Sequence, residues 1–257
     1  MCLIVFAVNV IDGYPLVVAA NRDEFYFRGS EPIHRWADAP IIAGRDAVAG
    51  GTWMEVSTEV PGRFAAVTNV RDGEPVPQPD KRSRGALPVD FLTSGISPAD
   101  EARRLADTAD AYAPVNLLVS DGDSLWWAAN RPEVAAQRVT DGVHGLSNGA
   151  LDNSWPKVTR TVDSVAGMLN TVAPQSDTVD EALFAILADD RPAPDESLPD
   201  TGVGLDRERD LSPAFIRIPG YGTRTSSVLW MRADGHGVLT ERRFDEGRYL
   251  DQSVIEW

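Results

Sequence analysis

The chain has 257 residues, of which 43% are hydrophobic and 25% are charged, and its net charge at pH 7 is -15. These proportions are typical of a water-soluble globular protein, and the acidic excess argues against a nucleic-acid partner or binding to an anionic membrane. The single cysteine excludes an intramolecular disulfide and a multi-cysteine zinc site, and no stretch approaches the ~20 apolar residues of a transmembrane helix. We therefore expect a cytoplasmic protein.

The first predicted elements are two short buried strands. Residues 2–8 and 16–20 are rich in β-branched side chains and apolar on both faces, which is typical of buried strands. Asp12-Gly13, between them, favours a two-residue hairpin turn because both positions tolerate positive φ. Similar patterns predict further strands at residues 53–57, 64–70, 115–119, 125–128, 142–146, 226–231 and 237–243.

Helical periodicity predicts four helices between these strands. Two of them begin with proline at the first helical position, at Ser97-Pro98 and Trp155-Pro156. Two stretches, residues 71–84 and 189–213, carry several prolines and no periodicity, and we predict loops there. The order of elements predicts an α+β or layered α/β architecture of antiparallel hairpins, forming a single domain over residues 1–257. The predicted helices are residues 87–92, 99–109, about 155–169 and 178–187.

The register of the first hairpin suggests a reactive pair. If Asp12-Gly13 is a two-residue turn, the pairing places Cys2 opposite Asp23 and Ile4 opposite Asn21. Directly opposed residues share one face of a sheet, so the thiol would lie beside a carboxylate. A shift of one residue would move Asp23 to the other face.

The position of Cys2 suggests nucleophilic chemistry. Once Met1 is removed, the new α-amine can act as the general base for the adjacent thiol, with Asp23 orienting the amine. A nearby arginine would favour the thiolate. The alternative interpretation is that Cys2 is a small buried hydrophobic residue in a core strand.

Two other motifs favour no catalytic or metal site. The segment Gly145 to Gly149 fits the G-x-S-x-G pattern, but residues 149–156 separate Ser147 from the next helix, so we do not expect a nucleophile elbow. The histidines have no metal-ligand spacing, and we expect surface or supporting roles for them. They are His34, His144 and His236.

Several short motifs, spread over nearly the whole chain, resemble those of one family. Asn21-Arg22-Asp23-Glu24-Phe25 resembles the signature of the NRDE family, also called the transport and Golgi organisation protein 2 family. Residues 189–213 match poorly and suggest a variable insertion. The other matching stretches are Gly50-Gly51-Thr52-Trp53, Ala66-Val67-Thr68-Asn69, Gly145-Leu146-Ser147-Asn148, Trp155-Pro156-Lys157 and Gly220-Tyr221-Gly222-Thr223-Arg224-Thr225.

The resemblance implies a fold of the N-terminal-nucleophile hydrolase superfamily, a four-layer αββα sandwich of two antiparallel sheets between helices. It also implies catalytic roles: Cys2 as nucleophile, Asp23 beside its amine, Asn69 and Asn148 as oxyanion donors, and Arg224 as a binding cation. One position departs from the hydrolases, because Ala20 stands where they carry an arginine. Arg22 lies next to Asp23 and is expected to point to the other face.

Two functions follow as alternatives. The first is a hydrolase that cleaves a non-peptide amide or a thioester through Cys2. The second is a non-catalytic protein on the same scaffold that binds an anionic small molecule, with links to haem trafficking, acyl-CoA and lipid metabolism. Neither requires a cofactor, and haem is expected only as a bound ligand. The residues expected to line the ligand cleft are Asn21, Arg22, Trp53, Tyr221 and Arg224.

Overall fold

The computed structural model describes residues 2–73, 78, 80–170 and 177–257. Within these residues the strands are β1 (Cys2–Ile11), β2 (Tyr14–Phe25), β3 (Ser30–Arg35), β4 (Ile41–Asp46), β5 (Met54–Ser57), β6 (Arg63–Asn69), β7 (Val115–Asp121), β8 (Leu125–Ala129), β9 (Ala135–Arg138), β10 (Gly142–Leu146), β11 (Arg217–Ile218), β12 (Tyr221–Met231), β13 (Gly237–Asp245) and β14 (Arg248–Glu256). The α-helices are α1 (Ala86–Leu92), α2 (Pro98–Asp107), α3 (Pro156–Leu169), α4 (Asp177–Leu187) and α5 (Leu205–Asp210).

The described strands form two antiparallel sheets. The first sheet has the order β10-β1-β2-β12-β13-β14, with the short strand β11 paired to β12. The second runs from β3 to β9 in chain order, as a meander. The antiparallel prediction is therefore confirmed, and the first sheet joins the two ends of the chain because β2 pairs with β12.

Three apolar clusters show how the sheets and helices are stacked in layers. One lies between the sheets and includes Phe6 and Val18 of the first sheet and Phe64 of the second. Another lies under α3 and α4, where Leu3 and Val5 of β1 meet Val158 of α3. The last lies under α1 and α2 on the outer face of the second sheet. This α+β packing is consistent with the predicted sandwich, and membership of the hydrolase superfamily stays a prediction.

A bulge in β1 shifts the register of the first hairpin. Ile11 pairs with Tyr14 as predicted, but beyond the bulge Val8 pairs with Leu16, so two residues of β1 oppose Pro15 alone. Asn9 adopts the left-handed φ of 52°, which asparagine tolerates better than most residues. The predicted pairing of Cys2 with Asp23 is wrong, because Cys2 pairs with Arg22 and Ile4 with Ala20.

The predicted helices α1 to α4 are present, and Ser97 caps α2 by accepting a hydrogen bond from the Asp100 backbone N–H at 3.2 Å. The loop prediction for residues 189–213 is wrong in part, because α5 and a 3-10 helix at Asp195–Ser197 lie within it. Part of the other predicted loop, at residues 74–77 and 79, lies outside the described residues. No helix in the described part is both long and apolar enough to cross a membrane.

Candidate functional site

Cys2 begins β1 and its side chain is buried. Because directly opposed residues share a face, Cys2 lies on the same face as Arg22. That face also carries Ile4 and Ala20, which belong to the cluster between the sheets. Burial raises the pKa of the Cys2 thiol, and the Asp23 charge raises it further while Arg22 lowers it. The thiol is therefore mostly protonated at neutral pH in this closed structure.

Asp23 lies on the opposite face of β2, toward the helices. It pairs with Thr223 of β12, whose hydroxyl donates a 2.7 Å hydrogen bond to the Asp23 carboxylate. Asp23 is 1% exposed, and burial raises its pKa, while the charge of Lys157 is the largest influence in the other direction. The expectation that Arg22 and Asp23 point to different faces is confirmed, but the thiol lies with the arginine.

The residues that follow β10 connect the start of the chain to the second sheet. The Ser147 hydroxyl donates to the Cys2 carbonyl at 2.8 Å, and the Asn148 amide donates to the Asn69 carbonyl at 2.8 Å. The Thr68 hydroxyl also donates to the Ser147 carbonyl, at 2.5 Å. These bonds bring Cys2, Asn148 and Asn69 into one neighbourhood, and their catalytic roles stay a prediction. They also occupy one Asn148 donor with a backbone oxygen.

Lys157 is a buried cation that the sequence reasoning left without a role. It lies in the first turn of α3, which begins at Pro156, and it is 2% exposed. Its amine has no hydrogen-bond partner among the described residues. Burial lowers the pKa of Lys157 to about 8, and the charge of Asp23 opposes that shift. The motif Trp155-Pro156-Lys157 was a signal for this residue, but a motif alone does not show which side chain is buried.

The segment around α5 covers this side of the site. Arg71, which follows β6, forms a 2.8 Å ion pair with Glu208 of α5, and both side chains are buried. The other Glu208 oxygen accepts hydrogen bonds from the backbone and hydroxyl of Thr201, at 2.8 and 2.6 Å. The Arg71 guanidinium also lies over the Trp155 ring at 4.7 Å. A segment predicted as a variable loop therefore forms part of the wall of the site.

A second charged group surrounds Arg22 between the sheets. Its guanidinium lies 3.5 Å from both Glu24 and Asp46, and Arg28 bonds Asp46 at 2.7 Å. Because these arginines are paired with carboxylates, their charge is largely compensated. Arg84, just before α1, is partly buried and donates to the Pro114 carbonyl at 3.2 Å. Burial lowers the pKa of Arg84, and the charges of Glu24 and Cys2 act on it in the opposite direction.

The two remaining predicted site residues, Tyr221 and Arg224, lie on β12 and have different surroundings. Tyr221 is 4% exposed and packs edge-on against Phe25 at 5.2 Å. Burial raises the pKa of Tyr221 well above its ordinary value, and the charges of Asp23 and Cys2 add to that effect. Arg224 lies at a bulge and donates to the Tyr26 carbonyl at 2.7 Å, with Asp245 at 3.9 Å. Arg224 therefore contacts Tyr26 and Asp245 in the structure.

Two residues predicted to bind a ligand, Asn21 and Trp53, make contacts that stabilise the fold. Asn21 is fully buried and donates to the carbonyls of Leu187 and Ala214, both at 2.8 Å, which fixes β2 to the end of α4. The Ser226 hydroxyl donates to the Asn21 side-chain oxygen at 2.6 Å. Trp53 packs at the edges of two apolar clusters.

The structure also locates the G-x-S-x-G segment and the histidines singled out in the sequence. After Ser147 the chain forms turns until α3 begins at Pro156, so the strand–turn–helix of a nucleophile elbow is absent from this described segment. His144 bonds Asp152 at 2.7 Å, and this bond raises the pKa of His144. No group of three potential metal ligands is found among the residues that the structure describes.

The fold and the site together define a two-sheet α+β protein that buries titratable side chains around the first residue of its first strand. The family described as "Transport and Golgi organisation 2" matches residues 1–246, and the chain belongs to this family. The human "Transport and Golgi organization protein 2 homolog" is 31% identical over 279 residues, covering 100% of this chain and 96% of its own length. The mouse "Transport and Golgi organization 2 homolog" is 30% identical over 274 residues, with the same coverage. The Drosophila melanogaster protein "Transport and Golgi organization protein 2" is 26% identical over 257 residues, covering 89% of this chain and 87% of its own length.

Proposed function

We propose that this protein is a hydrolase of non-peptide amide or thioester bonds, with Cys2 as the nucleophile. One observation carries the proposal: the thiol that begins β1 is coupled electrostatically to buried titratable groups with shifted pKa values, namely Asp23, Lys157 and Tyr221. Such clusters are concentrated at catalytic sites.

The positions of Cys2 and Asp23 on opposite faces of the first sheet are compatible with this mechanism. A direct contact between the thiol and the carboxylate is not required, because the base is the α-amine exposed when Met1 is removed. The side chain of residue 2 leaves its Cα toward Arg22, while its nitrogen continues the direction of the strand. The thiol and the amine can therefore have different neighbours, with Asp23 orienting the amine.

In the proposed reaction the amine takes the thiol proton and the sulfur attacks the substrate carbonyl. The leaving amine or thiol departs with that proton, and water then releases the acyl group from sulfur. Asn69 and Asn148 remain the proposed donors to the oxyanion. The proposed location is the cytoplasm, where a free thiol stays reduced.

The test uses the fact that Cys2 is the single cysteine of the chain. Intact mass of the purified protein shows whether Met1 has been removed. The protein is then mixed with a panel of acyl thioesters and N-acyl amides, quenched in acid, and examined for an acyl adduct on the peptide that contains Cys2.

We expect Met1 to be absent and an adduct to form with at least one substrate class. Cys2→Ala should abolish the adduct and product release, and Asp23→Asn should slow both. Turnover that survives in Cys2→Ala, or in protein that retains Met1, would refute the mechanism.

A second candidate is a binding protein without hydrolysis, and the burial that raises the pKa of the Cys2 thiol favours it. The ligand would carry anionic groups, as haem or acyl-CoA does, and Arg84 would be one contact near Cys2. Saturable binding of either ligand that is unchanged in Cys2→Ala, with no adduct and no product, would establish this function in place of the first.

A further inference from the structure

One buried hydroxyl connects the first residue of β1 to the second sheet. Ser147 follows β10 and is 0% exposed, and its hydroxyl lies 2.8 Å from the Cys2 carbonyl oxygen and 3.2 Å from the Asn148 side-chain oxygen. A hydroxyl has one proton to donate, and the shorter contact assigns that proton to the Cys2 carbonyl. The G-x-S-x-G pattern drew attention to Ser147, but the proposed mechanism gives it no role.

The partners of Ser147 fix the directions of the hydrogen bonds around it. The indole N–H of Trp127 can only donate, so the Asn116 side-chain oxygen, 3.1 Å away, must accept. The Asn116 amide nitrogen then donates to the Thr68 hydroxyl at 3.0 Å and to the Gly149 carbonyl at 2.9 Å. The Thr68 hydroxyl keeps its own proton for the Ser147 carbonyl, at 2.5 Å. The network therefore has one consistent set of donors and acceptors.

This network is rigid because its members are buried and hydrogen-bonded. Thr68, Asn116 and Ser147 are each at most 1% exposed, and Trp127 is 6% exposed. Each broken bond would leave a buried polar group without a partner, so such a network favours a single arrangement. Thr68, Asn116 and Trp127 lie on β6, β7 and β8. The second sheet therefore fixes the position of Ser147.

Cys2 needs a fixed neighbour because it begins the chain in the proposed enzyme. After removal of Met1 no peptide bond precedes residue 2, and rotation about its Cα–C bond moves both the thiol and the amine. The pairing of β1 with β10 ends where Ile4 lies opposite Leu146, two residues after Cys2. The Ser147 hydroxyl supplies a hydrogen bond beyond that point, directly to the carbonyl of residue 2.

We propose that Ser147 is a positioning residue: its hydroxyl holds the Cys2 carbonyl and thereby sets the orientation of the thiol and the amine for attack on the substrate. The part that concerns the attack rests on the proposed hydrolase function. The part that concerns the hydrogen bond does not, and it can be measured without a substrate.

The substrate-free experiment is NMR of the full chain labelled with carbonyl-13C cysteine. Because Cys2 is the single cysteine, one backbone carbonyl is labelled. Ser147→Ala should shift this signal, since the carbonyl loses a hydrogen bond. Ser227→Ala is the matched control: Ser227 is 1% exposed and its hydroxyl has no hydrogen-bond partner among the described residues, so the signal should stay. An unchanged signal in Ser147→Ala, or an equal shift in both variants, would overturn the proposal.

A second pair of variants decides the question if Ser147→Ala does not fold. Thr68→Val keeps a similar shape but removes the hydroxyl that donates to the Ser147 carbonyl, so it should also shift the Cys2 signal. Thr68→Ser keeps a hydroxyl and should leave the signal near its wild-type position. Equal signals from the two Thr68 variants would count against the network as the support of Cys2.

The activity arm measures acylation and turnover with the substrate that acylates Cys2. Ser147→Ala should lower kcat by roughly tenfold to 100-fold with little change in KM, because a misoriented reacting group slows the chemical step of the bound complex. A purely structural role would lower the stability of the variant without this separation of kcat from KM. Ser227→Ala should keep both parameters.

The two proposals fail in different ways. If the wild type is acylated and the Ser147→Ala and Ser227→Ala variants have equal kcat values, only the positioning role is refuted. If no substrate acylates Cys2 in the wild type, the hydrolase function is refuted, whatever the NMR experiment shows.

Discussion

Glu55 of β5 offers a stability test that is independent of the site. It is 0% exposed, neither carboxyl oxygen has a hydrogen-bond partner among the described residues, and burial raises its pKa well above the ordinary value of 4.5. It pairs with Ala43 and Ala65, so it faces the apolar layer under α1 and α2. Glu55 should therefore be protonated in the folded protein at neutral pH.

The pKa of Glu55 differs between the folded and the unfolded chain, and this difference determines the sign of the pH effect. Between pH 4.5 and the higher folded pKa of Glu55, the folded state binds one proton more than the unfolded state. The free energy of unfolding then falls as pH rises, by up to about 1.4 kcal/mol for each pH unit. Glu55→Gln removes the titration while keeping nearly the same shape.

The assay is urea unfolding of the wild type and Glu55→Gln at pH 5, 6, 7 and 8. The free energy of unfolding of the variant should rise relative to that of the wild type by about 1 to 1.4 kcal/mol per pH unit, up to the folded pKa of Glu55. Glu59→Gln, at an exposed position in the β5–β6 turn, is the matched control and should follow the wild type. Parallel curves for the wild type and Glu55→Gln would show that Glu55 is ionised, and would refute the reasoning.

Three further outcomes are expected. Burial raises the pKa of Glu241 to about 7, and its carboxylate accepts a hydrogen bond from the Ile33 N–H at 3.0 Å. In the same urea series, Glu241→Gln should reduce the decrease in the free energy of unfolding between about pH 4.5 and 7, and not above pH 7. Because Arg71 and Glu208 form a buried ion pair, Arg71→Met should cost about 3–5 kcal/mol, and adding Glu208→Leu should recover part of that loss; a full loss in the double variant would contradict the pairing. At the bulge, Asn9→Val should cost about 1–2 kcal/mol by thermal unfolding and Asn9→Gly clearly less, and equal costs would argue against the left-handed conformation.

The sequence predicts regular, apolar elements well. The strands at residues 2–8 and 226–231 and the helix that begins at Pro156 have clear hydrophobic or capping signals, and all are present. Strands β3, β4, β9, β11 and β14 were not predicted. Strand β14 is largely exposed, and β9 is half-exposed, so their stability comes from pairing with a neighbouring strand rather than from their own pattern.

The motifs predicted residues that the structure places near one another, but the predicted register of the first hairpin was wrong. The motifs identified Cys2, Asp23 and Asn148, which the structure brings to the same end of the first sheet. The face predicted for Asp23 was wrong because the bulge at Asn9, seven residues after Cys2 in β1, shifts the register of the hairpin. Such a shift depends on the fit between β1 and its neighbours, which no local pattern shows.

The wall of the site was missed for a different reason. Residues 189–213 lack helical periodicity, and α5 is only 6 residues long, so local sequence gives it little support. Tertiary contacts hold α5 in place, namely the ion pair between Arg71 and Glu208 and the hydrogen bonds that Thr201 donates to Glu208. A proline-rich acidic segment can thus be ordered by a few buried polar contacts.

The shifted register gives the two faces of β2 different electrostatic surroundings. Between the sheets, the Arg22 guanidinium beside Cys2 lies 3.5 Å from the carboxylates of both Glu24 and Asp46. Toward the helices, Asp23 accepts a 2.7 Å hydrogen bond from Thr223, and the charge of the buried Lys157 is one of those that lower its pKa. With the predicted register the thiol and the carboxylate would have shared one environment and shifted each other's protonation directly. In the observed register the thiol and the carboxylate have different neighbours, which allows the two halves of the site to be tested by separate substitutions.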